Sequence, residues 1–412
     1  MRILYLYMFP LWGNGSGSYL RELSAELVKR GHTVGIVAPD KRKFDGVSIY
    51  PVNAPRAVFA GHPEWPDAKH LKDLSGRALG ELYATYLKAS IDAVADFKPD
   101  VIHVFHTAFL PEIGRTLKAM FGIRYIITTH GSDLFYLVKD RRLIPLIADA
   151  NRSAKYITAV SDFTRKWYFQ IFGYAIKRKT LVIPGGVNLS HFKKDEKLIQ
   201  EIDRKYKLTD KRVVLFTGRL TKNKGVLYLV RAAEKINGTI VIVGDGPERM
   251  MLEEEIKKRN LKNVVFVGYM QTSNPMYHAF YERAKLYVSP SVWDEPLGLT
   301  ILEAMAANTM VIATRKGGVT SIINDGVNGK LIKARNSKEI AAVVNELLQN
   351  DEMRKKMRDN AYKTVIEKFS WEKIAQRFEK LYEDTRMKEK APEVGSLDKL
   401  VKKIFSVRFW MF

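Results

Sequence analysis

The chain has no cysteine and no apolar stretch that approaches the roughly 20 residues of a membrane-spanning helix. Without cysteine, disulfide bonds and thiolate chemistry are excluded. The first residues, Met1 to Tyr7, form a short apolar run that leads directly into a glycine-rich turn. This pattern predicts a buried strand rather than a signal peptide. These features are consistent with a reducing, cytoplasmic location.

Patterns typical of metal sites are also lacking. Four of the eight histidines, His62, His70, His191 and His278, have none of the spacings that zinc ligands use. The sequence contains no Asp-x-Asp pair that could hold a divalent cation through two carboxylates. We therefore expect no metal site.

Positive charge, in contrast, is abundant. The 412 residues include 68 lysines and arginines against 45 acidic residues, which gives a formal net charge of +23. A field of this sign attracts nucleic acid, anionic lipid or phosphorylated substrates, and composition does not choose among them. The length allows two or three domains.

Short apolar runs alternate with helical patterns in both halves of the chain. In the first half, strands are predicted at residues 3–9, 33–38, 101–104, 125–129, 156–160 and 181–184, with a glycine loop at 13–18 and a helix at 19–30. The pattern restarts with strands at 212–217, 239–243, 264–267, 286–289 and 311–313. Such alternation is typical of parallel, doubly wound sheets.

These patterns predict an α/β protein with two Rossmann-like doubly wound domains, residues 1–190 and 191–386, which face a cleft. The polar segment 188–207 is the predicted linker, and a terminal helix is predicted at 369–386. Residues 387–412 form a basic, amphipathic tail. Ligands of such sheets bind beyond the carboxyl ends of the strands, so the cleft is the expected site.

The segment 291–318 carries the clearest site signal. A predicted strand ends at Pro290, and a loop with Glu295 and Gly298 leads into an apolar helix that contains Glu303. The first N–H groups of a helix suit a phosphate. Glu303 lies about one turn inside the helix, where its carboxylate could accept hydrogen bonds from both hydroxyls of a ribose. Considered alone, it could equally be a solvated surface glutamate.

A second segment, 218–225, also follows a predicted strand and precedes a helix. Its glycine-rich loop contains Arg219 and Lys224. An arginine can bind a diphosphate with two hydrogen bonds, and a lysine adds a point charge. In so basic a protein, these two residues could also be ordinary surface cations.

Taken together, these segments resemble the retaining GT-B glycosyltransferases of the large family-four group. Glu295 and Glu303 flank Gly298 at the spacing of that family's paired-glutamate motif. Further similar segments follow in the family's order: 13–17, 23–34, 100–106, 129–133, 160–164, 183–188, 244–247 and 266–269. The joint order and spacing, rather than any one motif, carry the resemblance over nearly the whole chain.

The resemblance implies a retaining transfer from a nucleoside-diphosphate sugar, usually without a metal and with no other cofactor. Arg219 and Lys224 would bind the diphosphate, Glu303 the ribose, and Glu295 and His130 the transferred sugar as catalytic residues. Further donor-binding positions are Gly298, Leu299, Tyr269, Gly15 and Gly17. Retention without an obvious nucleophile implies front-side attack, in which the leaving phosphate accepts the acceptor's proton. The chain departs from the family at Ser321, where a carboxylate is common, and at 185–188, which reads Gly-Gly-Val-Asn.

The acceptor side is less defined. Trp12, His106 and Asp133 are the candidate acceptor residues, and Arg56, His62 and Trp65 could shape the same region or form a plain surface loop. His32 and His103 are expected to be structural. The expected partners are a nucleotide sugar and a glycan or lipid-linked acceptor, with no nucleic acid.

Two alternatives remain at the level of sequence. One is another enzyme of the same shape, a sugar-nucleotide epimerase or a phosphorylase. The other is a non-catalytic basic protein that binds membrane or nucleic acid. The paired glutamates favour transfer, because a polyanion-binding protein has no use for them.

The tail has its own predicted role. Leu397, Leu400, Val401 and Ile404 recur at helical spacing, with Lys399, Lys402, Lys403 and Arg408 beside them and several aromatic residues at the end. Such a segment is typical of helices that lie on anionic membranes. The alternative is that it packs back on the protein. If the tail binds lipid, the enzyme would lie at the cytoplasmic face of a membrane.

Overall fold

The computed structural model describes residues 1–59, 61–62 and 64–386. These residues contain two large parallel sheets. The first sheet has seven strands in the order β3-β2-β1-β6-β7-β8-β9. Its strands are β1 (Arg2–Leu6), β2 (Thr33–Ala38), β3 (Val47–Pro51), β6 (Val101–Phe105), β7 (Tyr125–Thr129), β8 (Tyr156–Ala159) and β9 (Thr180–Val182). A separate small sheet pairs β4 (Ala57–Val58) with β5 (Lys69–His70).

The second large sheet has six strands in the order β12-β11-β10-β13-β14-β15. They are β10 (Val213–Thr217), β11 (Thr239–Val243), β12 (Val264–Gly268), β13 (Leu286–Ser289), β14 (Met310–Thr314) and β15 (Lys330–Ile332). The central strands of both sheets are buried runs rich in valine and isoleucine, as expected when helices cover both faces. The predicted doubly wound α/β class is confirmed.

Helices connect the strands and cover the sheets. Around the first sheet lie α1 (Gly15–Lys29), α2 (Gly76–Phe97), α3 (Leu110–Phe121), α4 (Ser132–Lys139), α5 (Ile144–Ser153) and α6 (Asp162–Phe172). The remaining helices are α7 (Glu196–Tyr206), α8 (Val226–Ala232), α9 (Arg249–Lys258), α10 (Pro275–Arg283), α11 (Leu299–Ala306), α12 (Ser337–Gln349), α13 (Asp351–Lys368) and α14 (Trp371–Arg386).

One local prediction is wrong, and one predicted segment contains a helix that the pattern did not indicate. The predicted glycine loop at 13–18 is mostly helix, because the Asn14 side chain accepts a hydrogen bond from the Gly17 N–H and caps α1. The predicted linker at 188–207 contains α7, which Asp195 caps in the same way. This helix was missed because its apolar face is narrow: Ile199 and Ile202 are its buried residues.

The last helix of the described residues, α14, crosses from the second sheet to the first. Tyr382 of α14 shares a buried hydrogen bond of 2.8 Å with Tyr5, and its hydroxyl lies 2.7 Å from Nδ1 of His103. Trp371 packs edge-on against Tyr19 of α1. His103 therefore has the structural role that was expected, while the division of the chain near residue 190 stays a prediction.

No helix among the described residues is long and apolar enough to cross a membrane. The tail, residues 387–412, lies outside the described part of the chain, and so does its predicted amphipathic helix.

Candidate functional site

The cleft holds a cavity of about 390 Å³ at the carboxyl ends of both sheets. Loops that follow β1 and β7 form one wall, and loops that follow β10 and β13 form the other. The lining includes Asn14, Gly15, Ser16, His62, His130, Ser132, Lys224, Trp293, Glu295, Gly298 and Leu299. Six predicted site residues therefore share one cavity: His130, Glu295, Lys224, Gly298, Leu299 and Gly15.

Glu295 is buried at the base of this cavity and is held as a carboxylate. Its Oε1 accepts hydrogen bonds from the Lys224 ammonium and the Ser291 hydroxyl, both at 2.6 Å. Burial alone would raise its pKa, but the Lys224 charge and these hydrogen bonds hold the pKa of Glu295 below its ordinary value. Glu295 can thus accept hydrogen bonds from the hydroxyls of a ligand.

Arg219 lies at the mouth of the cleft. It is exposed, and its Nη1 donates a 2.6 Å hydrogen bond to the carbonyl oxygen of Gly61 in the opposite wall. Arg219 contacts the lining residue Gly61 but does not itself line the cavity, whereas Lys224, on the same loop after β10, does. Two cations placed there provide the charge that a diphosphate needs.

The start of α11 completes this wall. Gly298 precedes the helix with a φ of 103°, a conformation that favours glycine. Leu299 and Thr300, the first residues of the helix, line the cavity, so the start of the helix lies at its wall. This arrangement suits a phosphate group.

Glu303 lies in a second, smaller cavity of about 70 Å³ that also contains Tyr19 and Leu299. Its Oε2 accepts hydrogen bonds from Tyr281 at 2.6 Å and Tyr277 at 2.9 Å. Burial raises the pKa of Glu303 to about 7, although the two tyrosine hydroxyls act in the opposite direction. The alternative of a solvated surface glutamate is wrong, because this carboxylate is partly buried and bound by two hydroxyls.

His130 lines the main cavity and has an unpaired ring nitrogen. Its ring packs against Tyr19, Phe105 and His106, at centroid distances of 4.7 to 5.2 Å. Its Nε2 is buried and has no hydrogen-bond partner among the described residues. Burial, together with the neighbouring His106, lowers the pKa of His130 well below its ordinary value, so the ring is neutral. A neutral imidazole can exchange a hydrogen bond with a sugar hydroxyl.

Of the two glycines of α1 that were predicted to bind the donor, Gly15 and Gly17, one lines the main cavity and the other does not. Gly15 lines the main cavity, and a Cβ there would lie 3.7 Å from the Leu299 side chain. Gly17 is buried, and a Cβ on it would lie 2.4 Å from the Leu11 carbonyl oxygen. Gly17 is therefore needed for packing of the helix against the preceding loop.

The structure does not bring the three candidate acceptor residues into the main cavity. His106 is 1% exposed, with its Nε2 3.0 Å from the Ser16 hydroxyl. Asp133 is fully buried and accepts hydrogen bonds from the N–H groups of Thr107 and Gly131, each at 2.7 Å. Trp12 packs against the guanidinium groups of Arg21 and Arg42. Asp133 and Trp12 are thus held within the fold, while His106 keeps a buried Nδ1 that has no hydrogen-bond partner among the described residues.

Three further residues named from the sequence, Tyr269, His62 and His32, have different surroundings. Tyr269 follows β12 and is 62% exposed, outside both cavities. His62 lines the main cavity, where its Nε2 lies 2.7 Å from the Asn14 amide nitrogen. His32 pairs with Glu379 of α14 at 2.8 Å, which is the structural role that was expected.

Several site residues were missed from the sequence. Ser291 and Trp293 lie beside Glu295, and Tyr277 and Tyr281 donate to Glu303. The i, i+4 spacing of the two tyrosines places them on one face of α10, but nothing local indicates that this face meets α11. Among the described residues, no three His, Asp or Glu side chains cluster in a way that could hold a metal ion.

Comparisons with known proteins agree with this geometry. Residues 13–191 match the family model described as Glycosyltransferase Family 4, and residues 199–364 match the one described as Glycosyl transferases group 1. One uncharacterized glycosyltransferase of Methanocaldococcus jannaschii is 31% identical over 69% of this chain and 75% of its own length. A second uncharacterized glycosyltransferase from the same organism is 29% identical over 89% of this chain and 94% of its own length.

A solved structure extends the similarity to the fold. The Anabaena protein Alr3699/HepE, crystallised in complex with UDP, has a TM-score of 0.73 and 20% identity. The alignment covers 93% of this chain and all of that one. The same protein has also been crystallised with UDP-glucose.

Proposed function

Since this chain belongs to the group 1, family 4 glycosyltransferases and is an enzyme of the GT-B fold that transfers sugars, we propose a specific reaction for it. It moves a hexose-type sugar from a nucleoside-diphosphate sugar to a glycan or lipid-linked acceptor. The transfer retains the anomeric configuration and needs no metal ion.

The observation that carries this proposal is the contrast between two carboxylates on either side of Gly298. Glu295 is paired with Lys224 and stays charged, whereas Glu303 is held by two tyrosines and has a pKa of about 7. They lie in adjoining cavities that share Tyr19 and Leu299. One ligand with two hydroxyl-bearing ends and a phosphate-bearing centre fits this arrangement.

A nucleotide sugar is such a ligand. In our proposal Glu303 accepts hydrogen bonds from the hydroxyls of the ribose. The N–H groups at the start of α11 face the diphosphate, together with Lys224 and Arg219. The transferred sugar then occupies the main cavity, where Glu295 and the neutral ring of His130 contact its hydroxyls. The UDP complexes of the Anabaena protein support a uridine nucleotide as the first donor to test.

The proposed chemical step is a front-side displacement. The acceptor oxygen bonds to the anomeric carbon as the bond from that carbon to the diphosphate oxygen breaks. The departing phosphate oxygen takes the acceptor's proton, so no protein base is required. The protein contributes positioning and stabilises the negative charge that develops on the diphosphate.

The direct test is a thermal-shift panel of UDP-, GDP- and ADP-sugars, each compared with its nucleoside diphosphate. A ligand that binds only the folded protein raises its melting temperature by mass action. We expect at least one nucleotide sugar to stabilise the wild-type protein, and the Glu303→Gln variant to lose most of that shift. If no nucleotide raises the melting temperature, the proposed donor site is wrong.

A further part of the proposal concerns location. The basic, aromatic-rich segment from Ser396 to Phe412 would hold the enzyme on an anionic membrane surface, where a lipid-linked acceptor resides.

A further inference from the structure

A third opening, lined mainly by aromatic rings, lies beside the main cavity, which we now call the donor cavity. This third opening has a volume of about 540 Å³ and lies between helices α4 and α6 on one side and the loop after β13 on the other. Phe135, Phe163, Trp167 and Trp293 provide the rings, and we call this opening the aromatic groove. Its volume is within the range of small-ligand sites.

The rings of the groove are available to a ligand. Phe135 is 41% exposed, and Phe163, Trp167 and Trp293 are partly exposed. Phe135 meets Trp293 edge-on across the cleft, with ring centroids 6.2 Å apart. Four partly exposed rings in one concavity are unusual on a protein surface, because apolar surface in contact with water is unfavourable. A ligand that covered these rings would therefore gain binding free energy.

The charged groups at the rim of the groove are paired with one another. Lys166 lies 3.0 Å from Asp162 of its own helix, and Lys316 lies 3.2 Å from Asp294. Each lysine of the rim therefore already has a carboxylate partner and is not a free cation for a phosphate or carboxylate. The groove presents instead apolar rings edged by hydrogen-bonding groups, to which Gln170 adds an amide.

A pyranose ring has matching chemistry. Its C–H groups form apolar faces that pack on aromatic rings, while its hydroxyls project from the edge and hydrogen-bond to polar side chains. An uninterrupted hydrocarbon chain would offer no hydrogen-bond partner to the Gln170 amide at the edge of the groove. The composition of the groove thus favours a neutral saccharide over a lipid tail.

The groove is continuous with the donor cavity. Trp293 lines both openings. On α4, Ser132 faces the donor cavity, while Phe135, one turn later, lines the groove. A chain of sugars bound along the rings would therefore end beside Glu295 and His130.

We propose that the aromatic groove binds pyranose rings of the acceptor glycan and so selects an oligosaccharide acceptor. This inference rests on the proposed function, since it names the acceptor class of the same site. It assigns to Trp167 and Phe163 a role in acceptor affinity and none in donor binding.

The test uses the full chain on an array of immobilised oligosaccharides, both neutral and acidic, with and without UDP. The Trp167→Ala variant removes one ring of the groove, and Tyr174→Ala removes a 66% exposed tyrosine elsewhere as the matched control. We expect the wild-type and control proteins to bind a neutral oligosaccharide. Trp167→Ala should bind it about tenfold more weakly, as expected from the loss of one buried ring.

Each other outcome has a defined meaning. If the wild-type protein binds no array glycan, or Trp167→Ala binds as the wild type does, the inference is overturned. Binding to phosphatidylcholine vesicles that depends on Trp167, without glycan binding, would assign the groove to lipid and also overturn it. A thermal shift with nucleotide sugars, measured on the same samples, reports separately on the proposed function. Equal shifts in both variants would show that Trp167→Ala remains folded.

Discussion

The ammonium group of Lys224 lies 2.6 Å from Oε1 of Glu295, although the two residues are 71 positions apart in sequence. The pair joins the loop after β10 to the loop after β13, at the base of the donor cavity. Because the Glu295 side chain is only 8% exposed, its negative charge depends on this cation.

Replacement of Lys224 by alanine should therefore impair both donor binding and turnover. A hydrogen bond to a charged group contributes about 1.5–3 kcal/mol, so we expect donor affinity to fall by roughly 10- to 150-fold. Calorimetric titration with the nucleotide sugar selected by the thermal-shift panel measures the loss. Lys222→Ala, an exposed lysine of the same turn, is the matched control. Affinity and activity at wild-type levels in Lys224→Ala would refute the assignment.

The pKa of Glu303 predicts that donor binding depends on pH. A ribose donates two hydrogen bonds, so it binds the ionised carboxylate better than the protonated acid. With a pKa of about 7, only about one tenth of Glu303 is ionised one pH unit lower. Affinity for a nucleotide sugar should rise as pH increases from 6 to 8. Glu303→Gln should bind weakly at both pH values, and an equally steep rise in this variant would assign the effect to another group.

The same pKa predicts the sign of a stability effect. The folded-state pKa of Glu303 lies above its ordinary value of 4.5, so its contribution to stability is complete below pH 4.5. That contribution is lost as pH rises through about 7. Without ligand, Glu303→Gln should therefore lose less stability than the wild type between pH 5 and pH 8. Urea unfolding at the two pH values measures this difference.

The activity should survive treatment with EDTA. In the proposed site the diphosphate charge meets Lys224, Arg219 and the start of α11, so no cation is required. Initial rates with and without the chelator provide the measurement. Complete loss of activity that magnesium or manganese restores would overturn the metal-independent mechanism.

The tail should bind anionic vesicles. Each basic residue near an anionic surface contributes about 1 kcal/mol, so Lys399, Lys402, Lys403 and Arg408 can support reversible binding. Truncation after Pro392 should abolish sedimentation with phosphatidylserine vesicles and leave the melting temperature nearly unchanged. A large fall in melting temperature, with no vesicle binding by the full chain, would instead mean that the tail packs on the protein.

Much of the fold could be predicted from local pattern, because buried parallel strands have a distinctive composition. The strands at 125–129, 239–243 and 286–289 match the sequence prediction at both ends. Helix α7 was missed because two buried isoleucines are too few to reveal a periodic apolar face. Nothing in the sequence of α14 indicates that Tyr382 bonds to Tyr5, because such a contact depends on the path of the whole chain.

In the candidate site, too, some residues could be identified from the sequence and others could not. Lys224, Glu295 and Glu303 were identified because they follow strand ends and because their spacing resembles a family pattern. Their partners could not be identified in this way: Tyr277 and Tyr281 reach Glu303 only because α10 packs beside α11. Asp133 and His106 had the residue types of an acceptor site, yet the fold buries both.

The central claim is that this cleft binds and cleaves a nucleotide sugar. The most direct measurement is NMR of the nucleotide sugar that gives the largest thermal shift, incubated with the wild-type protein and with Glu295→Gln. We predict slow release of free sugar and nucleoside diphosphate by the wild type, and at least about tenfold slower release by Glu295→Gln. The account would be contradicted if the wild type left every donor of the panel intact, or if Glu295→Gln released sugar at the wild-type rate.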